Sequence, residues 1–296
     1  MGMTIPLLRR QVLAAGALMA AAIGLPRAVA GGGGRLPRGR DWRWGVDYGA
    51  ATDPAAARQY RLLVLEPDHP RAIAPLRGPG SVLLGYLSLG EIERSRASVP
   101  TLAAAGALKA ANPDWPDARM IDLRHPAWSA EVVGTLIPGI LARGHDGLFL
   151  DTLDNAEAME RADPAANAGM VAAAARLVAA MRAAFPAMPI VMNRGYALLP
   201  DIAGSVDGVL GEAMATRWSF ADKRYERLSD SDWSWQADRL RAATARNSAL
   251  VPLTLDYWDP ADAATIAALY ARQRAAGFVP YVSTLALDRL HAEPVR

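Results

Sequence analysis

The sequence predicts a single-domain α/β fold of the (β/α)8 TIM-barrel class, and three observations carry that prediction. Short apolar runs recur eight times at intervals long enough to hold a helix between them. Several of those intervals open with helix-start signals. The span they occupy, residues 42–296, is about 255 residues, the size of one such barrel. An open doubly wound sheet is the structural alternative, but the first strand-to-helix turn has no G-x-G-x-x-G fingerprint.

The eight runs are Trp44–Val46, Leu62–Leu65, Val82–Leu87, Leu148–Leu150, Ile190–Met192, Val209–Leu210, Val251–Leu255 and Phe278–Val282. They are continuously apolar rather than alternating, as strands covered on both faces must be. Asp53 before Pro54, and Asp259 before Pro260, each offer an N-cap acceptor with proline at the first helical position, so a helix is expected from each. The second should run through Ile266, Leu269 and Tyr270 to a left-handed stop at Gly277. Residues 167–185 are alanine-rich, with Met170, Leu177, Val178 and Met181 at helical spacing, and predict an outer-ring helix. The region between the third and fourth strands is expanded. It should hold an extra helix over Thr101–Ala111 and a short segment over Met120–Leu123. Residues 213–248 form a second expanded loop.

The N-terminus is a different object. Arg9 and Arg10 precede an uncharged stretch from Gln11 to Pro26, and Ala28-Val29-Ala30 supplies a small-x-small cleavage site. Residues 1–30 therefore read as a signal peptide, and the chain as periplasmic or secreted. The paired arginines resemble a twin-arginine signal, with an ordinary Sec signal as the open alternative. The apolar stretch is shorter than the ~20 residues of a membrane span, so no stable span is expected after cleavage. Residues 31–41, four glycines and then Arg35-Leu36-Pro37-Arg38-Gly39-Arg40, read as a flexible leader.

Removing residues 1–30 takes away three arginines and no acid, which moves the formal charge from +2 to −1. A near-neutral chain with scattered arginines lacks the basic face that nucleic acid requires. The absence of cysteine excludes disulfides, thiolate catalysis and Cys-ligated zinc. The four histidines, His69, His125, His145 and His291, share no metal-binding spacing. No cofactor or metal is expected, and the sequence is silent on oligomeric state. Gly85-Tyr86-Leu87-Ser88-Leu89-Gly90 has serine one place too late for a nucleophile elbow.

The strand ends carry the chemistry. Asp47 and Tyr48 follow the first strand, Glu66 the second, Glu91 the third, Asp151 and Asp154 the fourth, Asn193 and Arg194 the fifth, Glu212 the sixth, and Asp256 and Tyr257 the seventh. Barrels place their active sites at the carboxyl ends of the strands. A mouth lined by carboxylates and no histidine cluster suits glycosidic cleavage, in which one acid protonates the leaving oxygen and another attacks or activates water.

Gly85-Tyr86-Leu87-Ser88-Leu89-Gly90-Glu91, Asp146-Gly147-Leu148-Phe149-Leu150-Asp151-Thr152-Leu153-Asp154, Met192-Asn193-Arg194-Gly195, Gly211-Glu212 and Leu255-Asp256-Tyr257 together resemble glycoside hydrolase family 114. These are endo-α-1,4-polygalactosaminidase-like barrels, similar also to the hydrolase domain of bacterial Pel polysaccharide systems. The resemblance implies Asp151 and Glu212 as the catalytic pair. Barrel α-glycosidases of other families place a nucleophilic Asp after strand four and an acid/base after strand six, so Asp151 is expected as nucleophile and Glu212 as general acid/base, with a retaining course expected and an inverting one open. It implies a galactosamine- or N-acetylgalactosamine-containing polysaccharide as partner. Asp47, Tyr48, Tyr86, Glu91, Asp154, Asn193, Asp256, Tyr257 and Trp258 are the expected substrate contacts, Asp154 being equally readable as a helix cap. Large aromatics are usually buried, so Trp42, Trp44, Trp115 and Trp128 are expected to pack, while Trp258 and more weakly Trp218 are the candidate sugar platforms. Two alternatives stay open: an inactive secreted carbohydrate-binding barrel, and a hydrolase of another α-linked polysaccharide.

Overall fold

Each of the eight apolar runs forms a strand, and the strands pair in parallel in chain order. A computed structural model of the chain describes residues 36–112 and 115–294. The expected signal peptide and the first part of the leader lie outside the described residues. The strands are β1 (Trp44–Asp47), β2 (Leu62–Leu65), β3 (Val82–Ser88), β4 (Gly147–Asp151), β5 (Ile190–Asn193), β6 (Gly208–Glu212), β7 (Val251–Tyr257) and β8 (Val279–Ser283). They curl into a (β/α)8 barrel in which each strand is laddered to its predecessor.

The period-two alternation of strands sorts their side chains into two cores. Phe149, Val191 and Leu210 lie in the barrel interior with Trp44, Val46, Leu253, Leu255 and Tyr281. Their neighbours Leu148, Leu150, Ile190, Met192 and Val209 pack outward against the helical shell, including the helix Met170–Ala184. Asp151, Asn193 and Glu212 stand two residues beyond Phe149, Val191 and Leu210, so they inherit the inward phase. Asp47 and Asp256 have the opposite phase from Val46 and Leu255.

At the other end of the barrel one device is used twice. Asp146, immediately before β4, accepts the backbone N–H of Leu83 on β3 at 2.8 Å and two bonds from the Arg77 guanidinium at 2.7 and 3.0 Å. Asp207, immediately before β6, accepts the N–H of Ile190 on β5 at 2.9 Å and a bond from Arg182 at 2.6 Å. Arg182 also donates to the carbonyls of Ser205, Pro186 and Met188. Each aspartate thus ties two adjacent strand starts to one arginine. His145 sits at this end too, buried, and burial lowers its pKa to about 4, so the ring is neutral.

β1 and β8 close the barrel through side chains rather than a backbone ladder. The Trp44 indole donates to the Val279 carbonyl at 2.9 Å and its ring meets Tyr281 at 5.5 Å. The segment after β8 covers this join: Tyr48 N–H donates to the Leu287 carbonyl, and the Tyr60 hydroxyl to the His291 carbonyl. Gly45 leaves the space that Leu290 occupies, since a Cβ there would lie 2.9 Å from the leucine side chain. Leu36 and Pro37, within the segment expected to be a flexible leader, are buried, and Leu36 packs against Gly208.

Three local expectations are corrected. Residues 101–111 are not one helix: Val99–Ala104 is helical, Gly106 breaks away at φ +80, and Leu108–Ala111 becomes a strand. That strand joins Ala118–Ile121 and Glu91–Glu93 in a three-stranded antiparallel sheet. Residues 213–248 form a hairpin, Thr216–Ser219 with Arg224–Arg227, and then a helix, Asp230–Arg246. The helix expected at Pro260 begins at Ala263, because Asp259 closes a turn on the Ala261 N–H and Asp262 supplies the cap through the Thr265 N–H. Gly277 is left-handed at φ +83, the stop expected of it.

Asp207 and Arg182 are nearly enclosed, with 5% and 15% of their side-chain surface exposed. Asp207→Ala strands the arginine in the shell and should cost about 3–5 kcal/mol of stability. Chemical denaturation measures the loss, while the structure around Asp151, at the opposite end of the barrel, should be unchanged in the protein that remains folded.

Candidate active site

At the carboxyl end, Asp151, Asn193 and Glu212 project from three consecutive strands, β4, β5 and β6. The Asn193 amide nitrogen donates to Asp151 Oδ1 at 2.9 Å and to Glu212 Oε2 at 2.7 Å. The two N–H bonds of one planar amide diverge by about 120°, which sets the two carboxylate oxygens about 5 Å apart. The second oxygen of each acid has its own phenolic donor. Tyr86 donates to Asp151 Oδ2 at 2.8 Å and Tyr257 donates to Glu212 Oε1 at 2.5 Å. Tyr48 packs edge-on to Tyr86, with ring centroids 5.4 Å apart.

The surroundings of Glu212 disfavour its charged form. Burial, and after it the negative charge of Asp151, push the Glu212 pKa up, against the opposing bonds from Asn193 and Tyr257. Glu212 is therefore the member of the pair suited to holding a proton.

A backbone feature repeats at all three positions. Thr152, Arg194 and Ala213, the residues directly after Asp151, Asn193 and Glu212, have φ of +62°, +50° and +51°. Left-handed backbone at non-glycine residues, and above all at a β-branched threonine, is strained by on the order of 1–3 kcal/mol each. The surroundings hold it. The Thr152 hydroxyl accepts the Gly90 N–H at 2.8 Å and bonds the Ser88 hydroxyl at 2.8 Å. Gln236 donates to the carbonyls of Glu212 and Ala213. Gly90 has to be glycine, since a Cβ would sit 2.1 Å from the Thr152 carbonyl oxygen.

Of the expected contacts, Tyr48, Tyr86, Asn193 and Tyr257 join Asp151 and Glu212 at the centre. Asp154 starts the helix Asp154–Ala162 without capping it, and its half-exposed carboxylate lies 3.8 Å from Arg194 Nε. Glu91 accepts from the Asn112 amide at 2.6 Å on the insertion sheet. Asp256 is corrected: it is 1% exposed and accepts from the Ala215 and Thr216 N–H groups and from Gln273, so it anchors the loop after β6 to the helix Ala263–Ala275. Asp47 is corrected likewise, being 1% exposed and turned onto the Gly49 N–H. Trp258 serves as wall: its indole donates to Asp262 at 3.0 Å, Arg227 lies 5.3 Å over its ring, and it packs near Ile266. Trp115 is also corrected, because it stands 48% exposed.

Four matches to known families and proteins stand beside this geometry. The model of glycoside-hydrolase family GH114 matches residues 26–294. The solved glycoside hydrolase domain of PelA from Pseudomonas aeruginosa is 29% identical, with 86% of this chain and 98% of that one aligned at a TM-score of 0.74. Ega3 of Aspergillus fumigatus, solved in complex with galactosamine, shares the fold at 13% identity and a TM-score of 0.61, covering 87% and 98% of the two chains. An uncharacterized protein of Deinococcus radiodurans is 29% identical over 270 residues, 83% of this chain and 82% of its own length.

Asn193→Ala removes the donor shared by both acids and should lower kcat/KM by about a hundredfold, the scale of losing one preorganised donor or misplacing a reacting group. Its N–H opposes the upward pKa shift of Glu212. The alkaline limb of the pH–rate profile should therefore move to higher pH in this variant, which a pH series of initial rates checks.

Proposed function

The chain belongs to glycoside-hydrolase family GH114, and on that premise we propose that it cleaves internal α-1,4 bonds of a galactosamine-containing polysaccharide with retention of configuration. The observation that carries the mechanism is the shared Asn193 amide. An oxygen separation of about 5 Å matches retaining enzymes, whose carboxyl groups stand about 5–5.5 Å apart, and falls short of the roughly 6.5–9.5 Å that admits a water in inverting ones.

Asp151 is the nucleophile. Hydrogen bonds from Tyr86 and Asn193 keep its carboxylate oriented toward the anomeric carbon. Glu212, whose proton is retained by burial and by the neighbouring Asp151, gives that proton to the glycosidic oxygen as the bond to the leaving sugar breaks. A covalent glycosyl–Asp151 ester results. Glu212, now ionised, then takes a proton from water, which attacks the same carbon and releases Asp151. Tyr257 and Asn193 stabilise the ionised glutamate between the two steps.

The substrate reading rests on charge. The half-exposed carboxylate of Asp154 and the nucleophile Asp151 are the acids that meet the ammonium groups of de-N-acetylated galactosamine in this reading. Ega3, of the same fold, holds galactosamine. Export is proposed from Arg9, Arg10 and Ala28-Val29-Ala30.

Reducing-end release from α-1,4-galactosamine polymers should be abolished by Asp151→Asn and by Glu212→Gln. Full activity in the Asp151→Asn protein sinks the mechanism, and wild-type turnover confined to neutral glucans sinks the substrate. Activity requires Glu212 protonated, so the rate should fall as pH rises through its elevated pKa. Rescue of Asp151→Gly by azide should give an inverted glycosyl azide. Mass spectrometry of the exported protein should find Gly31 at its N-terminus, and retention of residues 1–30 counts against cleavage.

A further inference from the structure

Among the described residues, three large hydrophobic side chains are exposed: Trp115 at 48%, Phe220 at 63% and Trp235 at 48%. Trp235 already has a partner on its ring, the Arg239 guanidinium 3.5 Å from the centroid, and Tyr196 at its edge. Trp115 and Phe220 are different. They meet each other, edge to face at 6.5 Å, and they come from the two insertions of the barrel. Trp115 lies between the strands Leu108–Ala111 and Ala118–Ile121, in the connection leaving the carboxyl end of β3. Phe220 tops the hairpin Thr216–Ser219 with Arg224–Arg227, which leaves the carboxyl end of β6.

Their placement is tied to the chemistry. Asp151, Asn193 and Glu212 come from β4, β5 and β6, so the insertions that carry the two rings flank the catalytic strands and rise from the same end of the barrel. Each insertion is pinned next to a catalytic residue. Gly90 at the start of the first donates to the Thr152 hydroxyl, beside Asp151. The base of the second is fixed by Asp256 through the Ala215 and Thr216 N–H groups, beside Glu212. Exposing two large aromatic rings contributes nothing to folding, and rings offered at the rim of a sugar-cleaving site match the apolar C–H face of a pyranose.

We propose that Trp115 and Phe220 form an outer sugar subsite that grips the polysaccharide away from the bond being cut. This rests on the reading of the chain as an enzyme of galactosamine polymers. The site binds an aminosugar ring by stacking and contributes affinity only when the polymer is long enough to reach it. Selectivity for long chains, and hence internal cleavage, follows from that reach.

The test measures binding of the inactive Glu212→Gln protein to partly de-N-acetylated α-1,4-galactosaminan and to galactosamine oligomers of increasing length. Adding Trp115→Ala with Phe220→Ala should weaken polymer binding about tenfold. The loss should shrink as the oligomer shortens, and Trp115→Phe with Phe220→Tyr should restore most of it. In the otherwise wild-type enzyme the double alanine change should raise KM on polymer and leave kcat nearly intact. Polymer affinity that is unchanged, or lost equally at every length, overturns the subsite, as does failure of the Glu212→Gln protein to bind any polymer. Thermal unfolding of each variant separates lost binding from lost fold, and the aromatic replacements keep the test valid if the alanine protein unfolds. Binding that depends on the two rings, together with no cleavage by wild type, supports the subsite and defeats the proposed activity instead.

Discussion

One amide group sets the geometry on which the site depends. Strands of a sheet stand about 4.8 Å apart, so β4 and β6, with β5 between them, hold their backbones roughly twice that distance from one another. Carboxylates carried on those two strands would repel and lie too far apart to act on one carbon. Asn193, on the intervening strand, gives each an N–H and draws their oxygens to about 5 Å. Tyr86 and Tyr257 then hold the outer oxygens. The amide is neutral, so the acids keep their mutual influence, and Glu212 keeps a pKa above the ordinary carboxylate range.

The left-handed residues that follow Asp151, Asn193 and Glu212 are the backbone counterpart of that arrangement. Each turns the chain away directly after one of these three side chains, at the carboxyl end of its strand. The strain is carried by ordinary packing elsewhere: the Gly90 approach to Thr152, the Gln236 bonds to two consecutive carbonyls, and the paired aspartate–arginine clamps at the far end. Stability and chemistry are thus separated along the barrel axis, with aspartates at both ends doing different work. Asp146 and Asp151 lie five residues apart in one motif and never share a role.

Much of this was legible in the sequence. The eight strands follow from continuous apolar runs, whereas the pairing of Asp151 with Glu212 was implied by the family resemblance and not by strand-end position. Alternation within a strand also separates Asp151 from Asp47 and Asp256, yet strand-end position alone grouped them, because a carboxylate next to a strand end looks the same whichever face it takes. Counting two from Phe149 or Leu210 reaches an inward acid, whereas Asp256 directly follows the inward Leu255 and is buried against the helix shell. The insertion sheet was not legible: Leu108–Ala111 has the alanine content of a helix, and its strand form is fixed by pairing with Ala118–Ile121. Trp115 was expected inside on composition, and only the meeting of two insertions far apart in the chain brings it to Phe220.

The join between β1 and β8 has a dynamic meaning. Every other neighbouring pair of strands is held by a cooperative ladder, while this one relies on Trp44, Tyr281 and the covering segment that includes Leu290. Side-chain contacts of that kind open more readily than a ladder does, so local breathing of the barrel begins there and amide protons beside the join exchange first. In a ring of eight strands, β4 and β5 lie diametrically opposite that join. The most labile line of the fold is therefore the one farthest from Asp151 and Asn193, and the barrel can open and reclose without disturbing the distance between its two acids.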